Sequence, residues 1–163
     1  MENATVLGIS IGTRECGIAI VKNGMLIDWK VKNYRGHWSD NKMIRIIHSI
    51  EKLIRKYGVR NIACKFPSGI RNLHIDYLVE ELKKTISETN VSLIFISLEE
   101  LKVEQLPKIP NRKTYAEYLA SNFPELQPLL HKHNKIKTDY HLKVFEAVGA
   151  AYHCLRIEQQ NLL

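Results

Sequence analysis

Ser10 is the first residue of this sequence whose type and surroundings could support chemistry. It ends an apolar stretch and is soon followed by Gly12 and Thr13. No G-x-S-x-G sequence or paired histidine motif surrounds it, so we interpret Ser10 as a small polar residue rather than a nucleophile. Carboxylates that could bind a divalent cation, if the fold brought them together, stand at four later positions: Glu99, Glu100, Asp139 and Glu146.

Histidine and cysteine give weaker signals. His131 and His133 lie two residues apart in a polar, loop-like stretch, a spacing that would not direct both toward one ion from a helix. We therefore expect these two residues and His141 to be exposed and partly charged. The three cysteines are far apart and show no C-x-x-C spacing. This pattern argues against a zinc site or a disulfide scaffold and indicates reduced thiols in a cytoplasm.

Basic residues are in excess and are unevenly distributed. Lys and Arg number 24 against 17 Asp and Glu, a net charge of +7. Residues 108–143 contain seven of these cations and three acids, interleaved with tyrosine and histidine. Such a segment is typical of a surface that follows a nucleic-acid backbone, although a solvated helical face has the same composition. The residues that we predict to contact nucleic acid are Arg14, Lys65, Lys108, Arg112, Lys113, Lys132, Lys135, Lys137 and Lys143.

The elements that must position these residues follow from the apolar pattern, which predicts one α/β domain over residues 1–163. The first three strands need only tight turns, one of them at Asn23-Gly24, and should form an antiparallel meander. Each later strand follows a crossover helix, which gives a mixed five-stranded sheet (βββαβαβα) with helices on both faces. We predict strands at 4–11, 16–22, 25–33, 60–66 and 91–97 and helices at 39–57, 73–89 and 139–159, with further helical segments interrupted by Pro107, Pro110, Pro124 and Pro128.

The first predicted strand-turn-strand reads Leu7-Gly8-Ile9-Ser10-Ile11-Gly12-Thr13-Arg14-Glu15-Cys16-Gly17. It resembles the same segment of the RuvC and YqgF-type Holliday-junction resolvases, which belong to the ribonuclease H-like superfamily. Their pattern is G-I-D-x-G-[ST]-R-x-x-G, and every fixed position matches except that Ser10 replaces the aspartate. Actin-like and sugar-kinase ATPases begin with a similar hairpin, but they need two such domains around a nucleotide. The resemblance therefore implies a ribonuclease H-like fold.

The resemblance also implies a chemistry, two-metal hydrolysis of a phosphodiester by four carboxylates. The matching positions here are Ser10, Lys65, Lys143 and Glu146, with Asp139 as an alternative carboxylate one turn earlier in the last helix. Those four side chains sum to +1 rather than −4. A lysine about 4 Å from a cation is repelled by roughly 4 kcal/mol per unit of cation charge at an effective dielectric constant near 20. We predict a catalytically degenerate relative that holds no metal and binds nucleic acid such as branched DNA.

Two other readings stay open. The chain could be an active metal-dependent endonuclease that uses Mg²⁺ or Mn²⁺ if the carboxylates at Glu99, Glu100, Asp139 and Glu146 have taken over as ligands. It could also be a protein-interaction module, with an apolar patch of Trp29, Tyr34 and Trp38, unless these belong to the core. A homodimer would be natural for a relative of enzymes that act on two-fold junctions.

Membrane association is not expected. No apolar run approaches the roughly 20 residues of a membrane span, and the first ten residues, MENATVLGIS, lack the features of a signal peptide. We expect a cytoplasmic protein.

Overall fold

The computed structural model describes residues 4–67, 72–105, 111–136 and 138–161. Within these ranges the chain forms five strands, six α-helices and one 3₁₀ turn. The strands are β1 (Thr5–Ser10), β2 (Glu15–Lys22), β3 (Met25–Asn33), β4 (Asn61–Lys65) and β5 (Ser92–Ile96). The helices are α1 (Asp40–Tyr57), α2 (Leu73–Ser87), α3 (Leu98–Gln105), α4 (Arg112–Asn122), α5 (Gln127–Lys135) and α6 (Leu142–Asn161), with the 3₁₀ turn at Pro124–Leu126.

The strands form one mixed sheet in the order β3-β2-β1-β4-β5. The first three strands are antiparallel neighbours, whereas β1, β4 and β5 run parallel. In this register Ser10 pairs with Lys65 on one side and with Gly17 on the other. Because parallel strands end at the same edge of a sheet, Ser10 and Lys65 lie side by side at the carboxyl ends of β1 and β4. The predicted mixed five-stranded sheet is confirmed.

Helices cover both faces of the sheet, as predicted. Successive side chains of a strand point to opposite faces, so Leu7 and Ile9 of β1 pack with the cluster that includes α1 and α2. Val6 belongs to the opposite cluster, which α6 shares with α3 and α4. Every residue of β1 is buried, as befits a central strand covered on both faces.

Helix α6 lies unusually close to the sheet because glycine occupies two strand positions beneath it. A Cβ atom on Gly8 would stand 1.9 Å from the carbonyl oxygen of Ala147, and one on Gly17 would stand 2.0 Å from that of Lys143. No larger residue fits at either position without moving the helix backbone. This approach places the first turns of α6 directly over the ends of β1 and β2, where Ser10 lies.

Several predicted boundaries differ from the structure. Helix α6 begins at Leu142 rather than at 139, so Asp139 remains in the turn before it. Pro128 lies in the first turn of α5 instead of interrupting a helix, because an amide hydrogen is not needed at that position. Helix α5 also includes His131 and His133, which we had expected in a loop-like stretch. Pro107 and Pro110 lie outside the described residues.

The aromatic residues near the end of β3 do not form one surface patch. Trp29 packs with the cluster on the α6 face, whereas Tyr34 and Trp38 belong with the cluster on the α1–α2 face. Trp38 stacks on the His74 ring with centroids 4.9 Å apart. The alternative that these residues belong to the core is therefore confirmed and the single surface patch is wrong, since the sheet separates Trp29 from Tyr34 and Trp38. None of the helices in the described ranges is long and apolar enough to span a membrane.

Candidate functional site

The edge of the sheet at the ends of β1 and β4 brings together all four positions that the sequence singled out. Ser10 and Lys65 are neighbours in the sheet, and α6 holds Lys143 and Glu146 over them. The Ser10 hydroxyl donates to Glu146 Oε2 at 3.4 Å, and Lys65 Nζ forms an ion pair with the same oxygen. Ser10, Lys65 and Glu146 are only 2%, 3% and 1% exposed. One carboxylate is thus buried against a lysine and a hydroxyl.

Arg112 is a further member of this cluster, and sequence reasoning predicted it only as a nucleic-acid contact. It is the first residue of α4, after the N-cap Asn111. Its Nε donates to Glu146 Oε1 at 2.6 Å, and its Nη2 forms an ion pair with the same oxygen. Its Nη1 bonds Asp139 Oδ2 at 2.9 Å. Both oxygens of Glu146 are therefore engaged by cations, one by Lys65 and the other by Arg112.

A sequence signal for this pairing exists in retrospect. Glu146 is the one acid among the four matching positions, and a buried carboxylate requires cations or hydrogen-bond donors around it. Lys65 supplies one, but a carboxylate has two oxygens. The sequence does not specify which of the basic residues of 108–143 approaches the second oxygen, because that depends on where α4 packs.

Burial and charge act in opposite directions on Lys65. Desolvation lowers the pKa of its ammonium group, and the nearby cations of Arg112 and Lys143 act in the same direction. The Glu146 carboxylate opposes them through its charge and its hydrogen bond, and the pKa remains lowered overall. We call Ser10, Lys65, Arg112 and Glu146 the Glu146 cluster. With Lys65 and Arg112 charged and Glu146 ionised, its net charge is +1.

Lys143 lies at the open side of this cluster. It is half-buried, and its Nζ lies 2.9 Å from the place where a Cβ on Gly12 would be, beside the turn between β1 and β2. Among the described residues no carboxylate forms an ion pair with it. Lys143 thus adds a positive charge to a site in which Glu146, the buried acid among the described residues, is already paired.

A cavity of about 480 Å³ opens over the cluster. We call it the Ser10 cavity. Tyr140 lies in its wall, and the Tyr140 hydroxyl accepts a hydrogen bond from Asn33 Nδ2 at 2.8 Å, which links the cavity to the end of β3. Its polar walls are formed by Ser10, Glu15, Lys65, Arg112, Thr138, Asp139, Tyr140 and Lys143.

The residues of the Ser10 cavity do not fit the pair of divalent cations that the resemblance implies. Such ions require several carboxylate oxygens. Glu146 has both oxygens bonded to cations, and Asp139 is bonded to Arg112. Over the part of the chain that the structure describes, no three His, Cys, Asp or Glu residues are grouped to bind a metal. Lys65 and Lys143 would in addition repel a cation.

The relocated set of carboxylates is not assembled in the described part of the chain. Glu99 and Glu100 lie exposed in the first turn of α3, where acids interact favourably with the helix dipole. Asp139 and Glu146 instead share Arg112. The alternative in which these four acids converge on one metal site is therefore not supported by the described residues, whereas the interpretation of Glu99 and Glu100 as an exposed helix start is confirmed.

Two of the other predicted basic residues, Arg14 and Lys113, line separate cavities. Exposed Arg14, in the turn after β1, lines a cavity of about 560 Å³ with Tyr34, Arg35 and His37, which we call the Arg14 cavity. Exposed Lys113 lines a cavity of about 520 Å³ at the start of α4, the His133 cavity. Four of the predicted residues remain, two of them outside the described ranges. Lys132 and Lys135 are exposed on α5, and Lys108 and Lys137 lie outside the described residues.

The histidines depart from the prediction. His131 is exposed as expected, but His133 faces inward from α5 and is only 8% exposed. Residues two apart on a helix point in different directions, which explains why only one of the two is buried. The Nδ1 atoms of His133 and His141 are buried and have no hydrogen-bond partner. Burial lowers the pKa of His141, with smaller contributions in the same direction from His133 and Lys132.

Comparisons with known proteins agree with the fold expected from the sequence. No protein-family model and no curated protein sequence matches the chain. Among solved structures, the chain is similar to RuvC of T. thermophilus in complex with a Holliday junction substrate (TM-score 0.67, 12% identity, 96% of both chains). It is also similar to the yeast mitochondrial Holliday junction resolvase (TM-score 0.67, 12% identity, 92% of this chain and 77% of that one). The fowlpox virus resolvase is a third similar structure (TM-score 0.57, 12% identity, 94% and 99%). The chain therefore has the RuvC-like ribonuclease H fold.

Proposed function

We propose that this RuvC-like protein binds nucleic acid across the edge of its sheet and does not cut it by metal-dependent hydrolysis. The observation that carries the proposal is the state of Glu146. Its two oxygens are bonded to Lys65 and Arg112 at the place where the resembled resolvases gather carboxylates around metal ions. A nuclease of this kind would take positive charge from bound metal ions. In this protein the side chains of Lys65 and Arg112 supply the positive charge at that place.

The Ser10 cavity offers a phosphodiester one cation that no acid of the described chain pairs. Lys65 and Arg112 are balanced by their partners Glu146 and Asp139, whereas Lys143 at the cavity wall has no carboxylate partner among the described residues. A lysine ammonium can donate three hydrogen bonds and is a common ligand of phosphate oxygens. Lys143 would therefore bind a phosphate directly, while the buried ion pairs behind it set the local potential.

The three cavities adjoin one another through their wall residues and together offer a path for a nucleic-acid backbone. The Ser10 and His133 cavities share Arg112, Thr138 and Asp139 in their walls. The hydrogen bond from Asn33 to Tyr140 joins the Arg14 cavity to the Ser10 cavity. Cations at successive points along such a path favour a backbone that carries one negative charge per phosphate.

Branched DNA is the class of nucleic-acid ligand to test first. Two of the similar structures are complexes with Holliday junction DNA, one of RuvC and one of the fowlpox virus resolvase. These two complexes support a four-way junction as the first nucleic acid for measurement. A homodimer and a cytoplasmic location stay predictions from the sequence, and sedimentation equilibrium tests the first.

The experiment that tests the proposal combines binding and cleavage. Anisotropy of a labelled four-way junction, titrated with the protein at several salt concentrations, should give an affinity that falls steeply with salt. The log–log slope should be about −0.9 for each phosphate contacted in duplex DNA. The same junction, incubated with Mg²⁺ or Mn²⁺, should stay intact. An affinity that does not change with salt would contradict the proposed binding of nucleic acid. Cleavage that requires the metal and is abolished in Glu146→Ala would contradict the proposal that the protein does not cut.

A further inference from the structure

We propose that the His133 cavity is a second phosphate-binding site, formed by the amino end of α4 together with Lys113 and His133. The identity of its ligand as a nucleic-acid phosphate rests on the proposed function, but the capacity to bind a phosphate group does not. The site lies beside the Glu146 cluster and uses different donors.

The first donors are backbone amides of α4. Asn111 caps this helix, and its side-chain oxygen accepts from the amide of Thr114 at 2.9 Å. The preceding amides, those of Arg112 and Lys113, have no acceptor within the helix, because the helical pattern begins only at the fifth N–H. Free amides at an amino end, together with the helix dipole, attract an anion. The first turn contains no acid that would compete for them.

The second observation is independent of the helix end. His133 is one of the residues that line the cavity, it is only 8% exposed, and its buried Nδ1 has no hydrogen-bond partner. A buried polar group without a hydrogen bond is costly and is uncommon in folded proteins. A ligand that accepts a hydrogen bond from the imidazole would remove that cost. Phosphate oxygens are such acceptors.

The charges around the cavity favour an anion over a cation. Lys113 is exposed at its wall and forms no ion pair in the described part of the chain. Asp139 also lines the cavity, but its Oδ2 is bonded to Arg112 Nη1 at 2.9 Å. With that pair neutral, Lys113 and the helix end remain as the uncompensated positive charges.

The position of the site suggests its ligand. Arg112 forms part of the wall between the His133 cavity and the Ser10 cavity. A backbone with one phosphate beside Lys143 could place another phosphate of the same strand, or of the opposite strand at a branch, beside Lys113. We assign the His133 cavity to a phosphodiester of bound nucleic acid.

The first test uses inorganic phosphate and does not require nucleic acid. In NMR spectra of the full chain, phosphate should shift the amide resonances of Arg112 and Lys113 and the imidazole resonances of His133, with saturation at one site. Lys113→Ala should weaken binding by about tenfold, as expected for a lost charge-assisted hydrogen bond, and Lys113→Arg should restore it. Lys84→Ala, at an exposed lysine of α2 that lines none of the three cavities, is the matched control and should change nothing.

His133→Phe tests the imidazole while it keeps a ring of similar shape in the buried position. This variant should fold, as judged by its thermal transition, and should bind phosphate more weakly than the wild type. If His133→Phe fails to fold, His133→Gln serves the same purpose, because it keeps polar atoms in the pocket. Phosphate shifts that are absent, or that spread over all basic residues without saturation, would overturn the site.

The second test separates this inference from the proposed function. With a four-way junction, Lys113→Ala should reduce the salt slope by about 0.9, the loss of one phosphate contact. A junction that binds with an unchanged slope in Lys113→Ala would overturn the assignment to nucleic acid while leaving the proposed function intact. A wild type that binds no junction but binds phosphate at His133 would overturn the proposed function, and with it the assignment of the ligand.

Discussion

The Glu146 cluster and the His133 cavity lie on either side of Arg112 and differ in whether their polar groups are paired. In the cluster, a buried carboxylate has a cation at each oxygen, so its charges are satisfied within the chain. In the cavity, a buried imidazole has an unpaired Nδ1, and Lys113 has no acidic partner in the described residues. Charge by itself does not mark a binding site. The charges of the cluster are paired with one another, whereas Lys113 and Lys143 have no acidic partner among the described residues.

The largest change in stability should come from removing the carboxylate of the Glu146 cluster. Glu146→Ala leaves Lys65 and Arg112 buried or half-buried without their common acid, and removing one partner of a buried pair costs about 3–5 kcal/mol. Urea unfolding should show this loss of stability. The matched control is Glu80→Ala, which removes the exposed ion pair with Lys83 and should cost about 0–1 kcal/mol. Equal losses in the two variants would mean that the Glu146 cluster does not stabilise the protein.

The next effect follows from reversing the charges of the cluster. The triple variant Ser10→Asp, Lys65→Glu and Lys143→Asp restores carboxylates at all four matching positions and removes both lysines. We expect it to gain Mn²⁺ binding, measured as metal-dependent thermal stabilisation of about 2.7 kcal/mol when Mn²⁺ is at a hundred times its dissociation constant. The wild type, with its cations in place, should show no such stabilisation.

If the wild type were stabilised by Mn²⁺ as strongly as the triple variant, the cations of the cluster would not exclude metals. The single variant Lys143→Asp is a useful intermediate, because it changes the cavity wall and leaves the buried Lys65–Glu146 pair intact. It should bind Mn²⁺ more weakly than the triple variant.

A smaller change, in affinity for nucleic acid, should come from removing Lys143 at the edge of the cluster. Lys143→Ala removes a half-buried cation without breaking an ion pair, so stability should change little. Affinity for a four-way junction should fall by about tenfold, or about 1.4 kcal/mol, and the salt slope should decrease by about 0.9. Lys84→Ala, an exposed cation on α2 away from the three cavities, is the matched control. Equal losses in both variants would indicate nonspecific attraction rather than a site.

The sequence predicted the sheet well because its signals are local. The bounds of β3 follow from the Asn23-Gly24 turn and from the alternation after it, and the crossover helices determine the parallel pairing of β4 and β5. The proximity of Ser10, Lys65 and Glu146 came from the resemblance, since the hairpin motif and the small residues of α6 set the register. Gly8 and Gly17 show why that register holds, because α6 touches backbone there.

The sequence could not predict the contacts that depend on how the later helices pack. Arg112 reaches Glu146 only because α4 begins beside α6, and 34 residues separate the two. His133 looked exposed because its neighbours His131 and Lys132 are polar, and its burial is a property of the inward face of α5. Periodicity in a short helix of mixed composition is too weak to show which face is buried.

We propose that the cations of Lys65 and Arg112 occupy the place that metal ions take in the resolvases that this chain resembles. Anomalous diffraction from a crystal grown with excess Mn²⁺ tests it most directly. We predict no anomalous peak in the Ser10 cavity and a Glu146 carboxylate still bonded to Lys65 and Arg112. Two peaks about 4 Å apart, ligated by Glu146 with Lys65 and Arg112 turned away, would contradict the account.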